Sequence, residues 1–179
     1  MRLAVTLVAL ALAATLSTAD AARRLKKQEE AAPAPTPGDK RDRTVTAPGT
    51  PFNGRAFWQA AAQCGGIYFR LNTLYSDAAI SAKVVKPDPA AYTRLSKEAD
   101  GASATATTFF DVSERFLVAD RKVTREDAVI TYDNVAHTAG DRFKSVEAAL
   151  QATKQCAELY KVCRGAFPQV CNETSALTN

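Results

Sequence analysis

The chain has 179 residues, of which 46% are hydrophobic, and its 23 basic residues exceed its 19 acidic ones to give a net charge of +4. Its single histidine excludes a di-metal carboxylate bundle, which needs two Glu-x-x-His motifs. The absence of P-loop, GxGxxG, CxxC and CxxCH sequences argues against the nucleotide, thioredoxin, zinc-knuckle and c-type haem sites that those motifs build. We therefore expect no cofactor and no bound metal.

Residues 1–21 have the pattern of a secretory signal peptide. Arg2 gives a positively charged start, and the apolar run Leu3–Leu16 is too short to span a bilayer. Small residues favour cleavage after Ala21, with cleavage after Ala19 as the second choice; an uncleaved anchoring segment is the alternative. No later stretch is apolar and long enough to span a membrane. Because the alanine-rich composition and the short signal favour bacterial export, we predict a secreted protein of the periplasm.

A linker is predicted over residues 22–51, because proline, threonine and glycine recur there and almost nothing is available for burial. From Arg23 to Arg43 there are seven basic and four acidic residues, whereas the remainder from Thr44 has fifteen and fourteen. The basic charge thus belongs largely to this disordered segment, which predicts either a solvated spacer or a tail that touches anionic surfaces. Nucleic acid is not an expected partner, because export is predicted and no basic helix face appears.

The folded domain is predicted over residues 52–179, and its central helix is expected in the stretch Phe57–Ala79. Apolar or small residues recur there at alternating steps of four and three, the spacing of a helix face that packs against other helices. Gly65 and Gly66 interrupt this helix at a cost of roughly 1–2 kcal/mol relative to alanine. We expect the close approach of a neighbouring backbone to offset that cost. A kink beside Cys64 or a notch that lines a ligand site is the alternative.

Further helices are predicted downstream. Asp88 before Pro89 predicts the start of a second helix, and Thr124 with Asp127 resembles a capping box that starts a third. The third apolar stripe continues past Gly140, so it predicts either one very long helix or two helices with a break there. No stretch alternates apolar and polar residues over a strand length. The sequence therefore predicts an all-α fold: an antiparallel bundle of three to four long helices, tied by disulfides, behind a disordered N-terminal segment.

The four cysteines, an even number behind a predicted signal peptide, indicate two disulfides among three possible pairings. Cys156 and Cys163 lie two turns apart on one helix, too far to bond to each other. We favour Cys163 with Cys171, which leaves Cys64 with Cys156. In a bundle of three unbroken helices Cys64 and Cys156 would lie roughly 30 Å apart. This pairing therefore requires a break near Gly140 and favours four helices.

Few residues are candidates for chemistry. His137 is the only histidine, and it can share a helix face with Asp133, as Asp111 can with Glu114. Paired carboxylates perform acid–base catalysis when burial separates their pKa values, but helix-surface pairs are the expected outcome here. No serine stands in a GxSxG-like turn. We therefore predict that the protein is not an enzyme.

Three aromatic residues beside the helix stripes, Trp58, Phe69 and Phe110, define a possible binding patch. Each neighbours a stripe aromatic, so each could instead widen the buried face, whereas two exposed together would form a surface for a partner. We predict an exported, non-catalytic protein that binds a protein or a cell-envelope component. The alternative is a small-molecule carrier with a cavity between the helices, near the Gly65–Gly66 pair.

Overall fold

Helices make up most of residues 41–172, the part of the chain that the computed structural model describes. They are α1 (Phe57–Val84), α2 (Pro89–Arg121), α3 (Arg125–Gly140), α4 (Val146–Ala166) and the short α5 (Pro168–Cys171). The β-type pairing within this range is one isolated bridge, so the predicted all-α fold is confirmed. None of these helices is long and apolar enough to cross a lipid bilayer. The predicted signal peptide and most of the predicted linker lie outside the described residues.

The helices α1 and α2 form a long antiparallel hairpin. Near the start of α1, the Ser113 hydroxyl donates a hydrogen bond to the Trp58 carbonyl at 2.8 Å. Farther along, the Asn72 side-chain amide donates to the Ala99 carbonyl at 3.0 Å. These two bonds fix the register of the pair, since residues later in α1 meet residues earlier in α2.

The turn of this hairpin follows from local chemistry. The Asp88 carboxylate accepts a hydrogen bond from the Ala91 amide at 2.9 Å, and Pro89 occupies the first helical position. Both features were predicted from the sequence, because an Asp cap satisfies a free amide and proline has no amide to leave unpaired. α1 itself continues to Val84, beyond the predicted Phe57–Ala79 stretch.

The third apolar stripe is divided between α3 and α4. α3 begins behind the predicted Thr124 cap, whose hydroxyl accepts from the Asp127 amide at 3.1 Å, and it ends at Gly140. α4 begins behind Ser145, whose hydroxyl accepts from the Ala148 amide at 3.3 Å. The predicted break near Gly140 is confirmed, and with it the bundle of four long helices.

Two disulfides hold the helices together. Cys64 is bonded to Cys156, with Cα atoms 5.6 Å apart, and Cys163 is bonded to Cys171, with Cα atoms 6.0 Å apart. The favoured pairing is confirmed. The first bridge joins α1 to α4 across 92 residues of sequence, and the second attaches α5 to the end of α4.

The core is aromatic at the end of the bundle where α1 begins. Phe57 stacks on Phe116 with ring centroids 5.0 Å apart, and Phe167, between α4 and α5, meets both rings edge-on. Trp58 and Leu117 are also buried there. Toward the other end of the hairpin, the buried residues of α2 are the small Ala99, Ala102 and Ala106.

The segment before α1 packs against this aromatic end. Val45 and Phe52 are buried in the core, and the Arg43 guanidinium pairs with Asp120 at 2.7 Å while lying 4.5 Å from the centre of the Phe116 ring. The predicted linker boundary at residue 51 is therefore too late, since the packed domain includes residues 42–51. Composition underestimated this segment because two well-placed apolar side chains are enough to anchor a short loop.

Candidate functional site

A close contact between α1 and α3 shapes the surface of the bundle. A Cβ added at Gly66 would lie 2.6 Å from the carbonyl carbon of Ala136, and one added at Gly140 would lie 2.6 Å from the carbonyl oxygen of Gly66. The two helices thus meet backbone to backbone, which glycine alone permits. The Phe110 ring of α2 covers Gly65 in the same way. These contacts confirm the predicted role of the glycine pair in close helix packing.

A shallow cleft of about 70 Å³ opens beside this contact. We term it the Phe69 cleft, because Phe69 stands at its edge and remains 50% exposed. α1, α2 and α3 all contribute to it, so its shape depends on the spacing that the glycines set. Its lining residues are Gly66, Phe69, Phe110, Asp133, Ala136 and His137.

Aromatic rings form two sides of the Phe69 cleft. Phe110 is half-buried and stacks on Tyr132 with ring centroids 5.4 Å apart, so this ring is held in place. Phe69 meets the imidazole of His137 edge-on at 6.4 Å and has no such stacked neighbour among the described ring contacts. The cleft therefore combines one fixed ring with one exposed ring.

Carboxylates surround these rings. Asp133 lies one turn before His137 in α3, with Oδ1 3.4 Å from Nε2, and both side chains are exposed. Burial raises the pKa of the Tyr132 hydroxyl, and the negative charges of Glu114, Asp111 and Asp133 raise that pKa further. Three carboxylates thus act on the hydroxyl of Tyr132, whose ring stacks on Phe110, and one of them, Asp133, lines the cleft itself.

A second, more open groove lies farther along α2. It has a volume of about 230 Å³ and combines apolar side chains with an ion pair between Arg125 Nε and Glu114 Oε1 at 3.2 Å. Glu114 of this groove also acts on Tyr132, whose ring stacks on Phe110 of the Phe69 cleft, but the two depressions share no lining residue. The groove is lined by Glu114, Arg115, Val118, Ala119, Arg125, Gln169 and Val170.

The structure brings together two of the three predicted patch residues. Phe69 and Phe110 line the same cleft, whereas Trp58 is buried and does not reach the surface. Its indole nitrogen donates to the Asp42 carboxylate at 3.0 Å, and the Arg121 guanidinium lies 4.9 Å from the ring centre. Trp58 therefore belongs to the core. This is the second of the two roles that the sequence allowed for it, a wider buried face rather than an exposed patch.

Sequence reasoning missed the charged network around Trp58. Asp42 accepts two hydrogen bonds from Arg121, at 2.9 and 2.7 Å, while Arg43 pairs with Asp120. The available signal was the matching Asp-Arg order at residues 42–43 and 120–121, because each aspartate pairs with the arginine of the other dipeptide. That signal becomes readable only once the two segments are known to be neighbours.

The cleft combines apolar rings with charged side chains that are already paired. Its His137 is paired with the exposed Asp133, and the carboxylate of Glu114 is paired with Arg125. All four cysteines are in disulfides, and no group of three or more metal-ligating side chains converges within residues 41–172. An apolar side chain could lie between the rings, with positively charged groups near the surrounding carboxylates.

Comparisons with known proteins found no relationship for this chain: no family model matches the sequence, and neither the curated proteins nor the solved structures contain a match.

Proposed function

We propose that this protein is an exported, non-catalytic binding protein whose Phe69 cleft receives an apolar side chain of a protein partner, flanked in that partner by basic residues. The observation that carries the proposal is the exposed Phe69 ring beside a cleft walled by the fixed Phe110 ring. Aromatic side chains are enriched among the residues that dominate binding energy at protein interfaces, typically where they fill or border a small pocket.

The size of the cleft favours a side chain over a free small molecule. Pockets for small molecules are typically about 300–1,000 Å³, whereas the Phe69 cleft and the second groove measure about 70 and 230 Å³. Between the helices, Ala61 and Ala106 are buried and Tyr68 stacks on Phe109 at 5.7 Å, so packed side chains occupy these interior positions. The small-molecule carrier, the alternative from the sequence, gains no support from these two pockets.

The charge around the cleft defines the flanking residues of the partner. Asp111, Glu114 and Asp133 are close enough to Tyr132 to act on its hydroxyl, and one of them is offset by Arg125. A lysine or arginine beside the inserted apolar side chain would meet a negative potential, which gives specificity and speeds association. An acidic flank would be repelled for the same reason.

Location outside the reducing cytosol is part of the proposal. The two disulfides favour an oxidising environment, because such bonds persist there and are rare in the cytosol. The specific location that we propose, the bacterial periplasm after signal cleavage, rests on the sequence pattern of residues 1–21. Sequencing the N-terminus of the exported protein tests it, with Ala22 as the expected first residue.

A peptide-display selection tests the binding mode. The library presents one central aromatic or aliphatic residue with flanking positions randomised between Lys/Arg and Asp/Glu. We expect enrichment of basic flanks, and we expect the substitution F69A to weaken the selected peptides by about tenfold in fluorescence anisotropy. The matched control is L150A on α4, because Leu150 is also an exposed apolar residue, at 42%, and does not line the cleft.

Any of four outcomes would overturn this proposal. Selected peptides that bind F69A and the native chain equally would place the interaction elsewhere, and acidic flanks would contradict the charge argument. A reproducible turnover that D133N or H137N abolishes would replace the binding role with a catalytic one. Native mass spectrometry of the purified protein adds an independent check, since a retained small molecule would revive the carrier.

A further inference from the structure

The far end of the α1–α2 hairpin has almost no buried surface. Leu71 and Tyr75 of α1 still pack with Val146 and Ala149 of α4. Beyond Tyr75 the buried residue of α1 is Ala79, and no residue between 80 and 97 is buried. We term residues 80–97 the hairpin tip. It is held by the two helices packing on each other and by the Asp88 cap at the turn.

Four large apolar side chains are exposed on the hairpin tip. Ile80 and Val84 lie one turn apart on α1, so they share a helix face, and Val85 follows at the end of that helix. Their exposures are 60%, 70% and 78%, the highest of the large apolar residues in the described chain, and Tyr92 on α2 adds a ring exposed to 36%. Isolated exposed apolar residues need no explanation, but Ile80, Val84 and Val85 are neighbours at one end of the hairpin, and the Lys83 ammonium lies 5.3 Å from the centre of the Tyr92 ring.

The charges of the hairpin tip are predominantly basic. Its one acidic residue, Asp88, uses its carboxylate to cap α2. Four basic side chains, all exposed, give the tip a net charge of +3. Acidic residues resume at Asp77 and Glu98, on the side of the tip that faces the bundle. The basic residues are Lys83, Lys86, Arg94 and Lys97.

We propose that the hairpin tip docks onto an anionic lipid surface, with Ile80, Val84 and Val85 entering the boundary between headgroups and acyl chains. The combination of branched apolar side chains with surrounding lysines and arginines is the one that interfacial segments use. From Ile80 to Val84 the helix rises about 6 Å, which matches the roughly 5–10 Å depth of interfacial insertion. Lys83, between these residues, and Lys86, beyond Val85, extend their ammonium groups back to the lipid phosphates, while the Asp88 carboxylate stays on the Ala91 amide.

The shape of the tip favours a lipid surface over a protein. A stable protein interface buries about 800 Å² on each partner, whereas the tip is only the end of a two-helix hairpin, and none of its residues lines the Phe69 cleft or the groove at Arg125. A bilayer can adapt to such an end, and its negative potential extends about one Debye length, roughly 8–10 Å. Lys97 and Glu98 stand about 12 and 14 Å along α2 from Pro89, so both act only weakly on the surface, and Lys83, Lys86 and Arg94 supply the attraction.

Vesicle co-sedimentation of the full chain tests this inference, which concerns different residues from the proposed protein-binding cleft. Phosphatidylcholine vesicles with and without phosphatidylglycerol are the probes. We expect binding to the anionic vesicles, and we expect V84N/V85N to weaken it by at least about tenfold. The variant K83Q/K86Q should weaken it by about fivefold per charge, with weaker binding at higher salt.

The matched control is V129N/I130N, which changes a second pair of neighbouring exposed β-branched residues, at 41% and 56%, on α3. The basic segment before residue 44 is common to all variants, so its contribution to binding is the same in each. If V84N/V85N binds anionic vesicles as tightly as V129N/I130N, the inference is wrong and any binding belongs to that segment. If the native chain does not bind either vesicle, the inference is also wrong.

A fluorescence measurement separates insertion from adsorption. The native tryptophan, Trp58, is buried in the core and gives the same background in every variant. We expect V85W to show a blue-shifted emission and quenching by brominated lipid when anionic vesicles are added. I130W should show neither change. Equal responses from V85W and I130W would contradict insertion of the tip. F69A should bind vesicles as the native chain does, so this test is independent of the test of the Phe69 cleft.

Discussion

The two halves of the α1–α2 hairpin are held in very different ways. In the half where α1 begins, stacked aromatic rings, the Cys64–Cys156 bridge and the packed segment before α1 all meet. In the other half, α1 contributes one buried residue beyond Tyr75, Ala79, and the contact between the helices depends on small side chains. One pair of continuous helices thus joins a tightly packed body to a lightly packed end.

This difference shows that helix length is a poor guide to where stability lies. Apolar burial scales with the area removed from water, at roughly 25 cal/mol per Å². Alanine contacts remove little area, so we expect local openings to start at the hairpin tip and global unfolding to require the aromatic end. The predictions below test this contrast, beginning with the largest effect.

Removing the Cys64–Cys156 bridge should cause the largest loss. Because it closes a loop of 92 residues, C64A/C156A should lower the free energy of unfolding by about 4 kcal/mol in denaturant titrations. The comparison variant C163A/C171A removes a bridge with a separation of 8 residues and should lower it by about 2.5 kcal/mol. If C163A/C171A lowered the free energy of unfolding more than C64A/C156A, the bridge between α1 and α4 would not be the main source of stability.

The substitution D42A should lower the free energy of unfolding by about 3 kcal/mol, because it leaves the partly buried Arg121 guanidinium and the Trp58 indole without this carboxylate. Chemical denaturation followed by Trp58 fluorescence measures the loss. The matched control is D133A, which breaks an exposed pair with His137 and should change stability by less than about 1 kcal/mol. Similar small effects from both variants would show that the segment before α1 is not integral to the body.

Two glycine-to-alanine substitutions should change the stability of the protein in opposite directions. G66A should destabilise the protein by about 2 kcal/mol, because its Cβ would meet the backbone of Ala136, which cannot move aside as a flexible side chain can. G101A should stabilise it by about 1 kcal/mol, because no atom lies within 4 Å of the added Cβ and alanine is the better helix former. Thermal unfolding of both variants measures the difference. Destabilisation by G101A would contradict the open space around Gly101.

Alkaline pH should have the smallest effect on the free energy of unfolding. Burial raises the pKa values of Tyr68 and Tyr132 above the ordinary 10.0, so the folded state holds these protons more tightly than the unfolded state. This stabilisation is complete below pH 10 and is lost as the pH rises through the folded-state pKa values. Unfolding free energies measured across that range should therefore decline, and Y132F should decline less steeply. An increase in the unfolding free energy above pH 10 would contradict this prediction.

Much of the bundle could be predicted because its signals are local. The Asp88 and Thr124 caps each depend on residues within one turn, and both occur where they were predicted. The disulfide pairing was also predicted locally, because Cys163 and Cys171 can close a short loop and this leaves Cys64 with Cys156, a bond that is incompatible with an unbroken third helix. The geometry of one long-range bond thus decided between three and four helices.

The parts that sequence reasoning missed depend on contacts between distant segments. Residues 42–51 have the composition of a linker, and what holds them in the domain is their contact with residues 58 and 116–121. The meeting of Phe69 with Phe110 likewise depends on how far α2 slides along α1. That register is fixed by the Ser113–Trp58 and Asn72–Ala99 hydrogen bonds and places the Phe110 ring over Gly65, which a stripe of apolar residues does not encode.

The attachment of residues 42–45 to the aromatic end gives the molecule a polarity along its long axis. The chain enters the body beside the first turn of α1, while the hairpin tip lies at the last turn of that helix. α1 has 28 residues, so the two ends stand about 42 Å apart, with Phe69 a little under halfway between them. α1 therefore acts as a spacer of about 40 Å between the packed segment at its start and the hairpin tip at its end.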